Sequence, residues 1–107
     1  MNREQLKGHL DLLLLSSLSA GPAHGYAVIA ALRDRSEGTF DLPEGTMYPA
    51  LHRLEDAGLL GSSWVDAGGR RRRVYALTDE GVAALAAQQT EWRRFARGMH
   101  AVMGWSA

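Results

Sequence analysis

The sequence predicts an α+β fold that is mostly α-helical, with one small β-hairpin and a long C-terminal helix. Three observations support this class. Apolar residues recur at helical spacing over most of the 107 residues, a glycine pair separates two β-favouring runs, and a heptad pattern fills the C-terminal end. A chain of this length fits one small domain with a thin core, so a partner subunit would supplement its buried surface.

Two helices are predicted in the N-terminal third of the chain, over residues 4–18 and 25–35. Leucines at helical spacing define the first helix, and Gly21-Pro22 breaks it. Gly38 ends the region of the second helix.

A third helix is predicted over residues 46–57 and has two different faces. Its start lies near Thr46, because Pro49 is tolerated in a first turn, and Gly58 suits its C-terminal end. One face is apolar. The other carries polar residues with a tyrosine at its edge: Tyr48, Pro49, His52, Arg53 and Asp56.

A hairpin and a long helix complete the chain. The strands are predicted over residues 61–65 and 72–77, with glycines in a tip over residues 66–71. Thr78 is a plausible N-cap for a helix that runs from there to about Met103.

The order helix, helix, helix, hairpin, long helix is the plan of a winged helix-turn-helix protein. This plan divides the chain into a DNA-binding unit over residues 1–78 and a C-terminal dimerisation helix over residues 79–107, within one structural unit.

Basic charge is concentrated in the hairpin, although the net charge of the chain is zero. Eleven of the twelve basic residues are arginines, and four are consecutive, from Arg70 to Arg73. Such a run repels itself unless an anion such as a phosphate backbone lies beside it. In this interpretation His52 and Arg53 reach bases, while Thr46 and Tyr48 contact phosphates. The alternatives are a solvated edge strand and an ordinary amphipathic helix.

Several motifs, taken in order, resemble the PadR family of bacterial transcriptional regulators, in its short branch with a single C-terminal helix. They span most of residues 6–95 and comprise Ala23-His24-Gly25-Tyr26, the stretch from Glu44 to Leu51, Arg53-Leu54-Glu55, Gly58-Leu59, and the stretch from Tyr75 to Gly81. The resemblance implies a homodimer that binds a roughly palindromic operator, usually represses, and is released by phenolic or multidrug-like effectors.

The DNA contacts that the resemblance implies lie in two regions. Tyr26, Thr46 and Tyr48 come from the helices, and the wing supplies Gly69, Arg70 and Arg71, with Arg72 continuing the same run. His52 and Arg53 lie on the matching helix face, where base-reading positions vary among family members.

The last helix carries a heptad seam, which predicts packing along another long helix. Its members are Val82, Leu85, Gln89, Trp92, Ala96, Met99 and Met103. We expect them to form a dimer interface together with Leu6 and Leu10 of the first helix. The alternative is that the seam packs on the first helix of its own subunit, and the two arrangements are compatible.

Trp92 is a candidate effector-binding residue. In the multidrug-responsive branch of the family, an aromatic residue at the matching position stacks planar ligands between subunits. Phe95 or Met99 would line such a site here. The alternative is that Trp92 only anchors the dimer interface.

Other functions find little support in the sequence. The four histidines lack the spacing of a zinc enzyme, and the chain has no cysteine. It also has no phosphate-binding loop and no nucleophile next to a base. We therefore do not expect catalysis, a bound metal or a cofactor. No apolar run is long enough to span a membrane, and no signal peptide is evident, so we expect a cytoplasmic protein. Two alternatives remain: a winged helix that contacts proteins instead of DNA, and another DNA-binding family with the same plan.

Overall fold

The chain folds into four helices and a three-stranded antiparallel sheet, which confirms the predicted α+β class. The structure, a computed structural model, describes residues 3–105, with side chains at residue 6 and from residue 8 onwards. The elements in chain order are α1 (Arg3–Leu18), β1 (Ala23–His24), α2 (Gly25–Arg35), α3 (Glu44–Asp56), β2 (Leu60–Ala67), β3 (Arg70–Leu77) and α4 (Asp79–Met103). Within the described range, no helix has the length and apolar character that a membrane span requires.

The hairpin is longer than predicted and its turn is shorter. Strands β2 and β3 stay paired up to Ala67 and Arg70, so only Gly68 and Gly69 form the turn. Both glycines have positive φ, 58° and 75°, which is the geometry of a tight two-residue hairpin turn. The predicted six-residue tip is therefore wrong. Because two glycines suffice for the reversal, Arg70 and Arg71 belong to the strand, where their side chains alternate between its two faces.

The two-residue strand β1 was not predicted. It pairs with β3 on the side opposite β2, which gives the strand order β1-β3-β2. Two residues are too short for any alternating pattern to be visible in the sequence. The consequence is that the strand ties the start of α2 to the hairpin.

Helix α3 begins at Glu44, two residues before the predicted start near Thr46. Pro43 is its N-cap, and its carbonyl accepts hydrogen bonds from the N–H groups of Thr46 and Met47 at 3.0 and 3.1 Å. Pro49 therefore lies inside the helix, not in its first turn, and removes one intrahelical hydrogen bond. Burial of the apolar face, at Met47 and the residues that follow it, offsets this loss.

The core lies between the helices and the inner face of the sheet. Its largest fully buried side chains are Tyr75, Leu14, Leu15, Met47, Leu51, Leu54 and Val28. Tyr75 occupies a central position, since it pairs with Ala23 of β1 and with Ser62 of β2. Its ring also contacts that of His52, with the centroids 6.5 Å apart.

Thr78 begins helix α4, as predicted. Its side-chain oxygen accepts a hydrogen bond from the N–H of Gly81 at 3.0 Å and donates one to the carbonyl of Gly58 at 2.6 Å. A side chain at Gly81 would collide with the carbonyl of Leu59, so glycine permits this close approach. The start of α4 is thus fixed to the residues that follow α3, and the longest dimension of the molecule is 53 Å.

Candidate functional site

A groove with a volume of about 460 Å³ lies between helix α3 and the hairpin. The N-terminus of α2 closes one end of it. The residues that line it come from five elements and are mostly basic or aromatic. They are His24, Gly25, Tyr26, Tyr48, His52, Trp64, Arg70, Arg71, Arg72, Arg73 and Tyr75.

Most of the predicted DNA-contacting residues meet in this groove. Tyr26, Tyr48, His52 and the arginines from 70 to 72 line it, although they are distant in sequence. Thr46, half-buried in the first turn of α3, and Gly69, in the hairpin turn, lie outside the lining. The structure therefore brings the recognition helix and the arginine run to one surface.

Two tyrosines line the groove near the start of α2, and one of them is hydrogen-bonded to a carboxylate outside the lining. A hydrogen bond to Glu44 raises the pKa of Tyr26 above its ordinary value, and burial raises the pKa of Tyr48. The ring of Tyr48 lies over Gly25, where an added Cβ would be 2.6 Å from its Cζ. Both hydroxyls stay neutral at physiological pH, so each has one proton to donate: in the free protein Tyr26 donates it to Glu44, whereas Tyr48 can donate it to an anion.

The four arginines divide between the two faces of β3, as the alternation of a strand predicts. Arg71 and Arg73 both lie over the ring of Trp64, with their guanidinium carbons 5.1 and 5.7 Å from its centroid. Arg72 lies on the other face, where its Nη1 is 3.1 Å from Nε2 of His24. The positive charge of the hairpin is therefore presented on both sides of the strand.

A polar network joins the hairpin to helix α3. Arg73 donates to Oε1 of Glu55 at 3.2 Å and to the hydroxyl of Ser62 at 2.8 Å, and that hydroxyl donates to the other carboxylate oxygen of Glu55. Glu55 and Trp64 were not among the predicted site residues. The sequence places Trp64 in the first strand of the hairpin. It does not show the pairing of the two strands that brings this side chain beside the arginines.

Arg53 points away from the groove. Its guanidinium donates two hydrogen bonds to the carboxylate of Asp11 on α1, at 2.7 and 3.1 Å. The hydrogen bond to Asp11 raises the pKa of Arg53. The side chain predicted to reach bases is therefore bound to another helix in this arrangement.

The chemistry of the groove suits the binding of an anion. Glu55 is paired with Arg73, and Glu44 is bonded to Tyr26, so both carboxylates already have partners. From residue 3 to residue 105, no group of three or more metal-ligating side chains is placed to hold an ion. The arginines therefore dominate the charge that an incoming ligand meets.

The heptad seam of α4 divides into a buried and an exposed part. Leu85, together with Leu10 of α1, lies in the core of its own subunit, with only 6% and 9% of its surface exposed. This burial favours the alternative in which the two leucines pack within their own subunit, and their contact with a partner subunit stays a prediction. Leu6, Gln89 and Ala96 are half-buried, while the large apolar seam residues are exposed: Val82, Trp92, Met99 and Met103.

Two clefts flank Trp92 between α1 and α4, with volumes of about 700 and 600 Å³. Phe95, His9 and Leu12 also line both of them. Met99, which was predicted to line an effector site, lines neither cleft because it lies about one helical turn beyond Phe95. Trp92 and Phe95 are thus the aromatic residues that these clefts share.

Three helices, a paired hairpin beside the third, and a basic groove between them define a winged helix-turn-helix regulator. The model of the Transcriptional regulator PadR-like family matches residues 14–87. A transcriptional regulator of Mycobacterium tuberculosis is 36% identical, over 89% of this chain and 86% of that protein. The chain belongs to the PadR-like family of transcriptional regulators, which is not a family of enzymes.

Solved structures agree with this assignment. A PadR family transcription regulator from Clostridium difficile is 36% identical, covers 90% of this chain and 99% of its own, and superposes with a TM-score of 0.81. A PadR family regulator from Eggerthella lenta is 35% identical, and the match covers 94% of this chain and 86% of that one. Its TM-score is also 0.81. Both structures therefore match at least nine-tenths of the chain.

The tyrosine–carboxylate arrangement can be tested by titration. We expect Glu44→Gln to lower the pKa of Tyr26 towards its ordinary value of 10.0, because the substitution removes the negative charge that raises it and leaves only a neutral acceptor for the hydroxyl. Tyr75 is the internal control, since burial is the main cause of its raised pKa and Glu44 does not contribute. The measurement is the Cζ chemical shift of each tyrosine by NMR against pH. Equal changes at Tyr26 and Tyr75 would contradict the assignment.

The raised pKa values of two tyrosines predict how the free energy of unfolding changes with pH. Tyr48 and Tyr75 hold their protons more tightly in the folded state, so above pH 10.0 the unfolded chain loses protons first. The free energy of unfolding is therefore expected to be independent of these groups below that pH and to fall above it.

Proposed function

We propose that the chain binds double-stranded DNA as a homodimer and represses transcription in the cytoplasm. The observation that carries the proposal is the groove in which one face of helix α3 and the arginines of the hairpin meet. A helix of this kind enters the major groove, and the hairpin then lies along the neighbouring backbone. Repression follows because a dimer seated on a promoter excludes polymerase.

The proposed contacts follow from the chemistry of each side chain. His52 is exposed on α3 and is directed at base edges, while neutral hydroxyls and guanidinium groups bind phosphates. The residues assigned to phosphates and sugars are Tyr26, Thr46, Tyr48, Gly69, Arg70, Arg71 and Arg72. Arg53 is left out of this set because Asp11 already binds its guanidinium.

Dimerisation is supported by the exposed apolar surface of α4. Four of its large exposed apolar residues follow one another at helical spacing: Trp92 is 46% exposed, Phe95 59%, Met99 44% and Val102 89%. Contiguous surface of this kind is characteristic of subunit interfaces. A two-fold dimer carries two copies of the DNA-binding groove, so its operator is expected to be roughly palindromic.

An effector is proposed at the clefts beside Trp92. Their size suits a small molecule, and the indole of Trp92 together with the ring of Phe95 can stack a planar aromatic compound. The probe is proflavine, a planar aromatic cation, and the readout is quenching of tryptophan fluorescence. We expect Trp92→Phe to remove most of the quenching and the control Trp105→Phe to retain it. The reverse result would place the ligand elsewhere.

A second candidate function is a winged helix that contacts another protein. The observation in its favour is the net charge of zero, since DNA-binding domains usually carry net positive charge. Salt dependence separates the two functions, because only DNA binding releases counterions from a phosphate backbone.

The first variant to measure is Arg71→Ala. We expect it to weaken binding to a duplex from the region upstream of the gene by about tenfold, and to reduce the slope of log affinity against log salt by about one. The control is Arg33→Ala, which removes the same charge from an exposed site outside the groove. Fluorescence anisotropy of the labelled duplex gives both quantities. Equal effects of the two substitutions would contradict the proposed wing contact.

The dimer interface is tested by adding charge to α4. We expect Met99→Glu to convert the dimer to a monomer, because a carboxylate cannot be buried unpaired in an apolar interface. Ala101→Glu is the matched control, since it adds the same charge to an exposed position off the seam. Sedimentation velocity measures the result, and a persistent Met99→Glu dimer would contradict the interface.

A further inference from the structure

Trp64 lies on the hairpin with two arginines against its ring. It is the strand partner of Arg73, and Arg71 is on the same face of β3, two residues nearer the turn. Both guanidinium carbons lie within the distance at which a cation is attracted to an aromatic ring. The ring itself is 55% exposed, so the core does not account for its position.

Arg73, the strand partner of Trp64, is held in place by two neighbouring side chains. Arg73 bonds to Glu55 on α3 and to Ser62 on β2, which fixes its guanidinium and neutralises its charge. Two unpaired cations on one ring would repel each other. Because Glu55 neutralises Arg73, the uncompensated positive charge beside the ring of Trp64 belongs to Arg71.

Arg71 differs from Arg73 in its partners. None of the ion pairs found among residues 3–105 includes Arg71, although Asp66 lies directly opposite it in the hairpin. The contact that the structure shows for its guanidinium is the ring of Trp64. A cation–π contact uses no hydrogen-bond donor, so the N–H groups of this guanidinium remain available to an anion.

We propose that Trp64 is a positioning residue that holds Arg71 extended over the groove before DNA binds. This inference rests on the proposed function. A long arginine side chain loses conformational entropy when it binds a phosphate. A side chain that already packs against a ring loses less, so its binding costs less free energy. Glu55 takes part indirectly, since it anchors Arg73, which also lies over the ring. The phosphate contact belongs to Arg71, and Trp64 increases its strength.

The test is a double-mutant cycle between the two side chains. Trp64→Ala and Trp64→Phe are made both in the natural chain and in the Arg71→Ala variant, and anisotropy with one labelled duplex of fixed sequence gives the affinities. With Arg71 present, we expect Trp64→Ala to weaken binding about threefold to tenfold. Without Arg71, the same change should cost less than about twofold. Trp64→Phe, which keeps a ring, should retain most of the affinity.

A control and a second readout separate positioning from a general loss of wing structure. Val65→Ala truncates the neighbouring exposed residue on the other face of β2, and we expect it to leave the affinity unchanged. Trp64→Ala should keep the natural salt slope, because no phosphate contact is removed, whereas Arg71→Ala should lower it. Circular dichroism on each variant establishes that the fold is retained.

Two outcomes would overturn the inference, and they are distinguishable. Equal losses from Trp64→Ala with and without Arg71 would show that the ring acts independently of that arginine, and the proposed DNA binding would stand. No effect of Arg71→Ala itself would reject the wing contact, and the positioning role with it.

Discussion

The burial of Tyr75 is the constraint on which the groove depends. Its side chain is 1% exposed, and its backbone pairs with both neighbouring strands, so the register of the whole sheet is set at this residue. Because side chains alternate along a strand, burying Tyr75 turns Arg73 and Arg71 towards helix α3 and Arg72 to the opposite face. A slip of one residue would exchange the two faces and dismantle both the Trp64 stack and the Glu55 network.

Helix α4 connects the sheet to the surface proposed for dimerisation. Its first turns are fixed to the domain by the Thr78 cap, the close contact at Gly81 and the buried Leu85. Beyond Leu85 the apolar residues become exposed, with the clefts around Trp92 at the transition. One rigid helix thus joins the proposed effector site to the DNA-binding domain, and in a dimer its direction would set the spacing of the two grooves.

Local sequence signals predicted the order of the elements, and tertiary contacts decided the details. The Thr78 cap and the glycine pair at 68–69 have local causes, so both were recognisable. The partner of Arg53 lies on another helix, 42 residues away, so no spacing in the sequence could reveal it. The heptad pattern could not separate Leu85 from Met99 either, because a seam looks the same whether its own subunit or a partner covers it.

The most direct test of the account is the affinity of the chain for DNA from the region upstream of its gene, measured by fluorescence anisotropy at several salt concentrations. The account predicts tight binding that falls steeply and linearly with log salt and exceeds the affinity for unrelated duplexes. Weak binding that is equal for all sequences and insensitive to salt would contradict it. That result would leave the groove as a surface for another protein.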